Sequence, residues 1–373
     1  MLPSFENVSQ RSIGLDLIRS FAIIFVLVCH SCLYFCKSPD QGIIFYLVVL
    51  GFYGVELFFI LSGFLIGRIL LDIVRLKPDI RSLFTFLIRR WMRTLPAYYF
   101  WLLVFIFGWY YRFGDITMRP LKAILLYYLS FTQNLAWPMV GNYFSVTWSL
   151  TIEEWFYLTF STALILGCKY LGLSRGIKVV LSVFLILPLM LRFNLPANIN
   201  WDQVMRKVVI YRLDEIALGV GGLLLYQRFP IFRKKAYEIG GVGIFLFLAL
   251  WLLGSKYLNL LPTFLQQTQR VMIFNISGVI FLLCFPAAIK IKSLPKIIQF
   301  IVQNLSNMAY SLYLTHIIIL EIIIHFKNQY HWNVGFSLTL FIISLLTASL
   351  FSWYIIEKPF LRLRPKQILA GKS

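Results

Sequence analysis

Apolar residues run in unbroken stretches of about twenty along nearly the whole chain, and polar residues gather between them. Eleven stretches stand out, near 16–36, 51–71, 94–111, 121–137, 148–167, 177–195, 212–227, 238–254, 271–289, 307–325 and 336–356. They lack the alternation of polar and apolar residues that marks transmembrane barrel strands, so they read as helices long enough to cross a bilayer. Clusters such as Lys77-Pro78-Asp79, Asn198-Ile199-Asn200, Arg233-Lys234-Lys235 and Arg364-Pro365-Lys366 punctuate them. No internal repeat or low-complexity linker divides the series. A single membrane domain over 1–373 is expected, with a short polar tail at 1–13 and a basic tail at 358–373.

Composition removes the soluble alternative. A length of 373 residues would allow two or three soluble domains, but 60% of the residues are hydrophobic and only 13% are charged. Soluble domains carry about 45–50% apolar and about 25% charged residues. The mean hydropathy of +0.78 describes more apolar surface than one soluble core hides. The five cysteines suggest no disulfide framework: Cys29, Cys32 and Cys36 share one apolar segment, while Cys168 and Cys284 lie in others. No cleavable signal is evident, and the first apolar segment is expected to be retained.

Charge fixes the expected topology. Lys and Arg number 35 against 15 Asp and Glu, a balance that in a soluble protein would suggest nucleic acid. In a membrane protein it marks cytoplasmic loops and anionic lipid, so no nucleic-acid partner is expected. Seven basic residues lie in 68–93, three in 169–178, four in 228–235, three in 290–296 and five in 358–372. Placing all of these inside requires 112–167 to cross an odd number of times. The stretch 121–137, interrupted by Ser130, Thr132, Gln133 and Asn134, is the weaker of its two candidates. The expected fold is therefore an all-α integral membrane protein of about ten transmembrane helices plus one re-entrant or interfacial segment. It would sit as a multi-pass protein in a bacterial inner (plasma) membrane with both termini cytoplasmic.

Ionisable residues within such spans are expensive and so are functional candidates. The first span holds Arg19 and His30. Eleven residues apart, they share one helix face about 16 Å apart along the axis, with Asp16 placed to pair with Arg19. Arg19 reaching the headgroups and His30 bonding a neighbouring helix would be the structural alternative. Glu56 lies in the second span, where Gly63 and Gly67 suggest close helix packing. Arg89, Arg90 and Arg93 precede the third span, suited either to lipid headgroups or to a polyanionic ligand. Glu153 and Tyr157 share a face of the fifth span, which opens on Trp148 and Ser149; Glu154 points elsewhere. Asp214 is most simply a partner for Arg212, His316 lies in the tenth span, and Glu357 reads as a structural terminus. The four scattered histidines and Cys29-x-x-Cys32 make no metal site, and no phosphate-binding loop or serine elbow appears.

The order of these motifs resembles the acyltransferase-3 family of multi-pass membrane acyltransferases. The matching stretches are Leu15 to Arg19 with His30, Gly54 to Gly63, Arg90 with Arg93, and Trp148-Ser149-Leu150 through Glu153 to Tyr157. Tyr310 to His316 and Ile356 to Phe360 complete the set. The resemblance implies a ten-helix domain moving an acyl group, often acetyl, from cytoplasmic acyl-CoA to a hydroxyl of an extracytoplasmic or lipid-linked saccharide. It implies Arg19 and His30 as the essential pair, and Arg90 and Arg93, beside Arg89, on the donor side. Acyl-CoA is then a cosubstrate, with no bound cofactor expected. Trp155 stands where many relatives have Gln. No fused SGNH hydrolase-like domain is expected, so any second transfer step would use another protein or be absent.

Acyl transfer requires a base for the acceptor proton, and neutral imidazole suits that task near pH 7. His30 is the candidate; Glu56 or Glu153 could orient it, and the sequence leaves that choice open. Arginines inside and a histidine in the outer half suggest a tunnel for the donor's pantetheine arm. A proton-coupled secondary transporter is the competing class, since buried Glu and His also suit a carrier. The absence of an inverted repeat or paired broken helices argues against it.

Overall fold

A computed structural model describes residues 12–36, 38, 40–76, 78–113, 124–141, 144–254 and 263–366. Among these residues there is no strand. Ten helices of fourteen residues or more carry the chain: α1 (Ile13–Phe35), α2 (Gly42–Leu76), α3 (Ile80–Phe113), α4 (Thr147–Leu171), α5 (Leu173–Phe193), α6 (Leu213–Arg228), α7 (Ala236–Ala249), α8 (Thr263–Lys290), α9 (Lys296–Tyr330) and α10 (Val334–Phe351). Among the described residues, seven helices are long and apolar enough to cross a membrane. The other three are α3, α4 and α6. The first two carry Arg89 to Arg93 and the Glu153-Glu154 pair, and α6 is short and headed by Asp214 and Glu215. Those charges sit on the helices least suited to contact lipid, whereas Asp16, Arg19 and His30 on α1 and Glu56 on α2 lie within helices apolar enough to cross the membrane, where charge is costly to bury.

The interrupted stretch near 121–137 behaves differently from its neighbours. Its described helix covers 124–129 and gives way to turns through 140. The helix ends with Phe131 at φ 55°, and the Thr132 amide donates to the Tyr127 carbonyl at 2.8 Å. This is the left-handed termination that glycine usually supplies. Phe131 holds it through packing: its ring lies 4.3 Å from that of Tyr98, and its carbonyl accepts from Trp155 Nε1 at 2.6 Å. Two of the four polar residues that break the apolar run, Gln133 and Asn134, point inward, while Ser130 is exposed. Gln133 Nε2 donates to Thr151 Oγ1 at 2.6 Å, and Asn134 Nδ2 donates to the Trp148 carbonyl at 3.0 Å. Both side chains are fully buried.

The chain divides into two compact units. The first comprises 1–68, 215–313 and 323–341; the second comprises 69–214, 314–322 and 342–373. In the first, glycines let helices approach closely, as the spacing of Gly63 and Gly67 suggests. A Cβ at Gly63 would collide with the Ile216 carbonyl, and one at Gly219 with the Ile60 carbonyl, so α2 and α6 cross nearly backbone to backbone. Gly240 meets Ala287 and Gly243 meets Cys284 where α7 packs on α8. In the second unit α4 and α5 turn on the single residue Gly172 at φ 78° and pack through Gly167 and Gly176.

Candidate active site

In the first unit α1 carries Asp16, Arg19 and His30 on one continuous helix. Arg19 turns toward α9 and donates from Nη1 to Ser306 Oγ at 2.9 Å, with Asp16 Oδ1 at 3.5 Å. Ser306 in turn donates to Asp16 Oδ1 at 2.6 Å. The three groups form a closed triangle in which one hydroxyl orients both charges. Ser20 reinforces it by donating to the Val302 carbonyl at 3.0 Å.

Three turns further along α1, His30 Nδ1 lies 2.9 Å from the Val26 carbonyl oxygen. A carbonyl can only accept, so in the neutral ring this contact assigns the hydrogen to Nδ1 and the basic lone pair to Nε2. Glu56 is fully buried on α2. Gly51 abuts Cys29, while Gly54 abuts Ala22 and Val26. In this antiparallel register Glu56 is level with the part of α1 between Arg19 and His30. The apolar neighbourhood is aromatic: Phe58 meets Tyr313 of α9 edge-on with centroids 6.1 Å apart.

The second unit holds the arginine and glutamate motifs. Arg89, Arg90 and Arg93 line a pocket, open at its mouth, with Ile69, Ile73, Ser82, Thr85, Phe86 and Arg364. Arg90 is also within electrostatic reach of Tyr157 and Glu153. Tyr157 donates to Glu153 Oε2 at 2.6 Å, confirming their shared face, while Glu154 turns to α3 and accepts from Thr94 at 2.7 Å. Trp148 is buried beneath the Arg206 guanidinium, 5.1 Å from its ring centroid, and Ser149 bonds back to the Val146 carbonyl at 3.4 Å. His316 is fully buried, and its neighbour Thr315 lies 3.3 Å from Ser349 of α10.

One pairing differs from the sequence reading. Asp214 takes Arg192 in a bidentate bridge, Nη1 to Oδ1 at 2.9 Å and Nη2 to Oδ2 at 2.6 Å, both side chains being fully buried. Arg212 donates to the Arg206 carbonyl at 2.9 Å. Adjacency in sequence favoured Arg212, but the last turn of α5 brings Arg192 face to face with the carboxylate, where the forked geometry is met.

A family model described as an acyltransferase domain matches residues 12–358. The chain belongs to the acyltransferase-3 family. Among curated proteins it is 30% identical over 168 residues to the peptidoglycan O-acetyltransferase OatA of Listeria monocytogenes, covering 42% of this chain and 25% of that protein. It is 31% identical over 158 residues to O-acetyltransferase OatA of Staphylococcus aureus, covering 39% of this chain and 24% of the relative. The alignments thus span about a quarter of the length of these curated relatives. No solved structure matches the chain.

Within this acyltransferase-3 chain, four neighbours of the motifs escaped the sequence reading: Ser306, Thr94, Ser82 and Arg364. Serine and threonine are common in membrane helices and gave no signal. Arg364 was absorbed into the basic tail, where it counted only toward the charge expected on the cytoplasmic side. Trp155, noted for its departure from relatives, acts on the Phe131 carbonyl and so secures the turn at the end of the 124–129 helix.

Proposed function

We propose that the protein is a membrane O-acyltransferase that moves an acyl group, acetyl by its likeness to the O-acetyltransferases, from cytoplasmic acyl-CoA to a hydroxyl of an extracytoplasmic or lipid-linked glycan. Membership of the family across residues 12–358 is the observation that carries the reading. That span also supports treating both units as parts of one membrane acyltransferase domain. The distribution of basic loops supports cytoplasmic termini.

His30 is the base. Its Nε2 lone pair takes the proton of the acceptor hydroxyl, and the oxygen attacks the thioester carbonyl. A carbon–oxygen bond forms as the carbon–sulfur bond breaks, and the leaving thiolate takes the proton back from the imidazolium, giving an O-acyl sugar and free CoA. Arg19, held by Asp16 and Ser306, is the fixed positive charge of this half of the machinery. Arg89, Arg90 and Arg93 bind the donor's phosphates through forked, charge-assisted hydrogen bonds.

Inverted membrane vesicles given acetyl-CoA labelled in the acetyl group test the reading. Label fixed on glycan supports it. Accumulation of a substrate without covalent product would identify a transporter instead.

A further inference from the structure

The arginine pocket has an unusual balance. Its lining holds four arginines and no carboxylate. Three come from one stretch of α3. The fourth, Arg364, comes from the segment after the last helix, which α3 holds through a bond from Arg89 to the Pro365 carbonyl. Four like charges in one small cleft repel each other. Burial, together with Arg93, Arg89 and Arg90, pushes the Arg364 pKa down to about 10, which still leaves it charged at neutral pH. Ser82 adds a second anomaly. The residue is 2% exposed and lines the same pocket, and its hydroxyl has no hydrogen-bond partner within the protein. Its backbone amide is occupied by Asp79 at 2.7 Å, which fixes the residue in place. A buried hydroxyl without a partner is costly, and so is a cluster of like charges with no carboxylate in its lining. One ligand chemistry relieves both: phosphate oxygens, which accept from guanidinium forks and hydroxyls alike.

We infer that Arg364 and Ser82 complete a phosphate-binding pocket with Arg89, Arg90 and Arg93, and that this pocket grips the phosphorylated end of the acyl donor. The inference rests on the acyl-CoA reading above and adds to it a specificity residue supplied by the C-terminal segment. Coenzyme A carries a 3′-phosphomonoester besides its pyrophosphate, close to four negative charges in all, which four arginines neutralise. The pocket therefore discriminates coenzyme A from dephospho-coenzyme A, and Arg364 carries a large part of that discrimination. The segment that carries Arg364 is part of the donor site.

The experiment measures binding of coenzyme A and dephospho-coenzyme A to the full chain in nanodiscs of phosphatidylcholine, with and without phosphatidylglycerol. The expected result is a preference for coenzyme A, reduced at least tenfold in Arg364→Ala and partly restored in Arg364→Lys. Ser82→Ala, which leaves every charge in place, is expected to weaken both ligands several-fold. Retention of membrane insertion and a monodisperse elution profile confirm that each variant is folded. Parental binding by Arg364→Ala would overturn the inference and leave the acyl-CoA reading intact. Failure of the parent protein to bind coenzyme A would remove that reading and this inference with it. Selective loss of bound phosphatidylglycerol from Arg364→Ala, with coenzyme A binding unchanged, would make the occupant a lipid headgroup and overturn the donor assignment.

Discussion

His30 gives its Nδ1 hydrogen to the Val26 carbonyl at 2.9 Å, so the neutral ring keeps its lone pair on Nε2. His30→Ala is expected to lower acetyl transfer in vesicles by about 10²–10⁴-fold, the usual contribution of a positioned base. Insertion into the membrane should be unaffected, because the bond to Val26 is local to α1 and the apolar run of the helix is unchanged. A rate within a few-fold of the parent would exclude His30 as the base.

Ser306 supplies the only hydroxyl in the Asp16–Arg19–Ser306 triangle and is 2% exposed. Ser306→Ala removes the acceptor for Arg19 and the donor for Asp16 together. Stability should fall by about 1 kcal/mol per lost hydrogen bond, and transfer by roughly tenfold to a hundredfold as the guanidinium loses its orientation. Ser306→Thr, which keeps the hydroxyl, should recover most of both. Thermal melts in detergent and initial rates in vesicles measure the two effects separately.

Arg192 and Asp214 are both fully buried. Replacing one strands the other's charge, so Asp214→Leu or Arg192→Leu alone is expected to cost about 3–5 kcal/mol. The double replacement should cost less than the sum of the two, because no charge is left behind. A melting temperature for Asp214→Leu equal to the parent's would contradict the burial of the pair.

Glycines in this protein fall into two classes with opposite expectations. Gly219→Val places a side chain against the Ile60 and Phe64 backbone and should abolish recovery of monodisperse protein. Gly108 faces open space on α3, and Gly108→Ala should stabilise by up to about 1 kcal/mol through helix propensity. Elution profiles and melting curves distinguish them.

The helical membrane fold was legible because hydrocarbon imposes continuous apolar runs, and all ten long helices overlap sequence-marked stretches. Their ends were less legible. Helix α9 starts at Lys296, well before its apolar run, because Gln299, Gln303, Asn304 and Ser306 interrupt the apolar residues of its first turns. Glu153 and Tyr157 were readable as a pair since both lie on one helix at a spacing of four. The partnerships of Arg19 with Ser306 and of Arg192 with Asp214 were not, since each joins separate helices and depends on packing that spacing does not encode. Arg364 was hidden for another reason: one positive charge in a basic tail looks like any other until the pocket it enters is known.

Asp16 and Ser306 are 290 residues apart in the chain. At typical synthesis rates, roughly 15 to 60 seconds separate the emergence of α1 from that of the serine that locks its charges. During that interval Arg19 and Asp16 are in the membrane without their third partner, and they must be tolerated by lipid, by water or by the insertion machinery. The ordered arginine is thus among the last features of the protein to form. A chain interrupted before residue 306 would contain the first motif in full but would leave its arginine without the clamp.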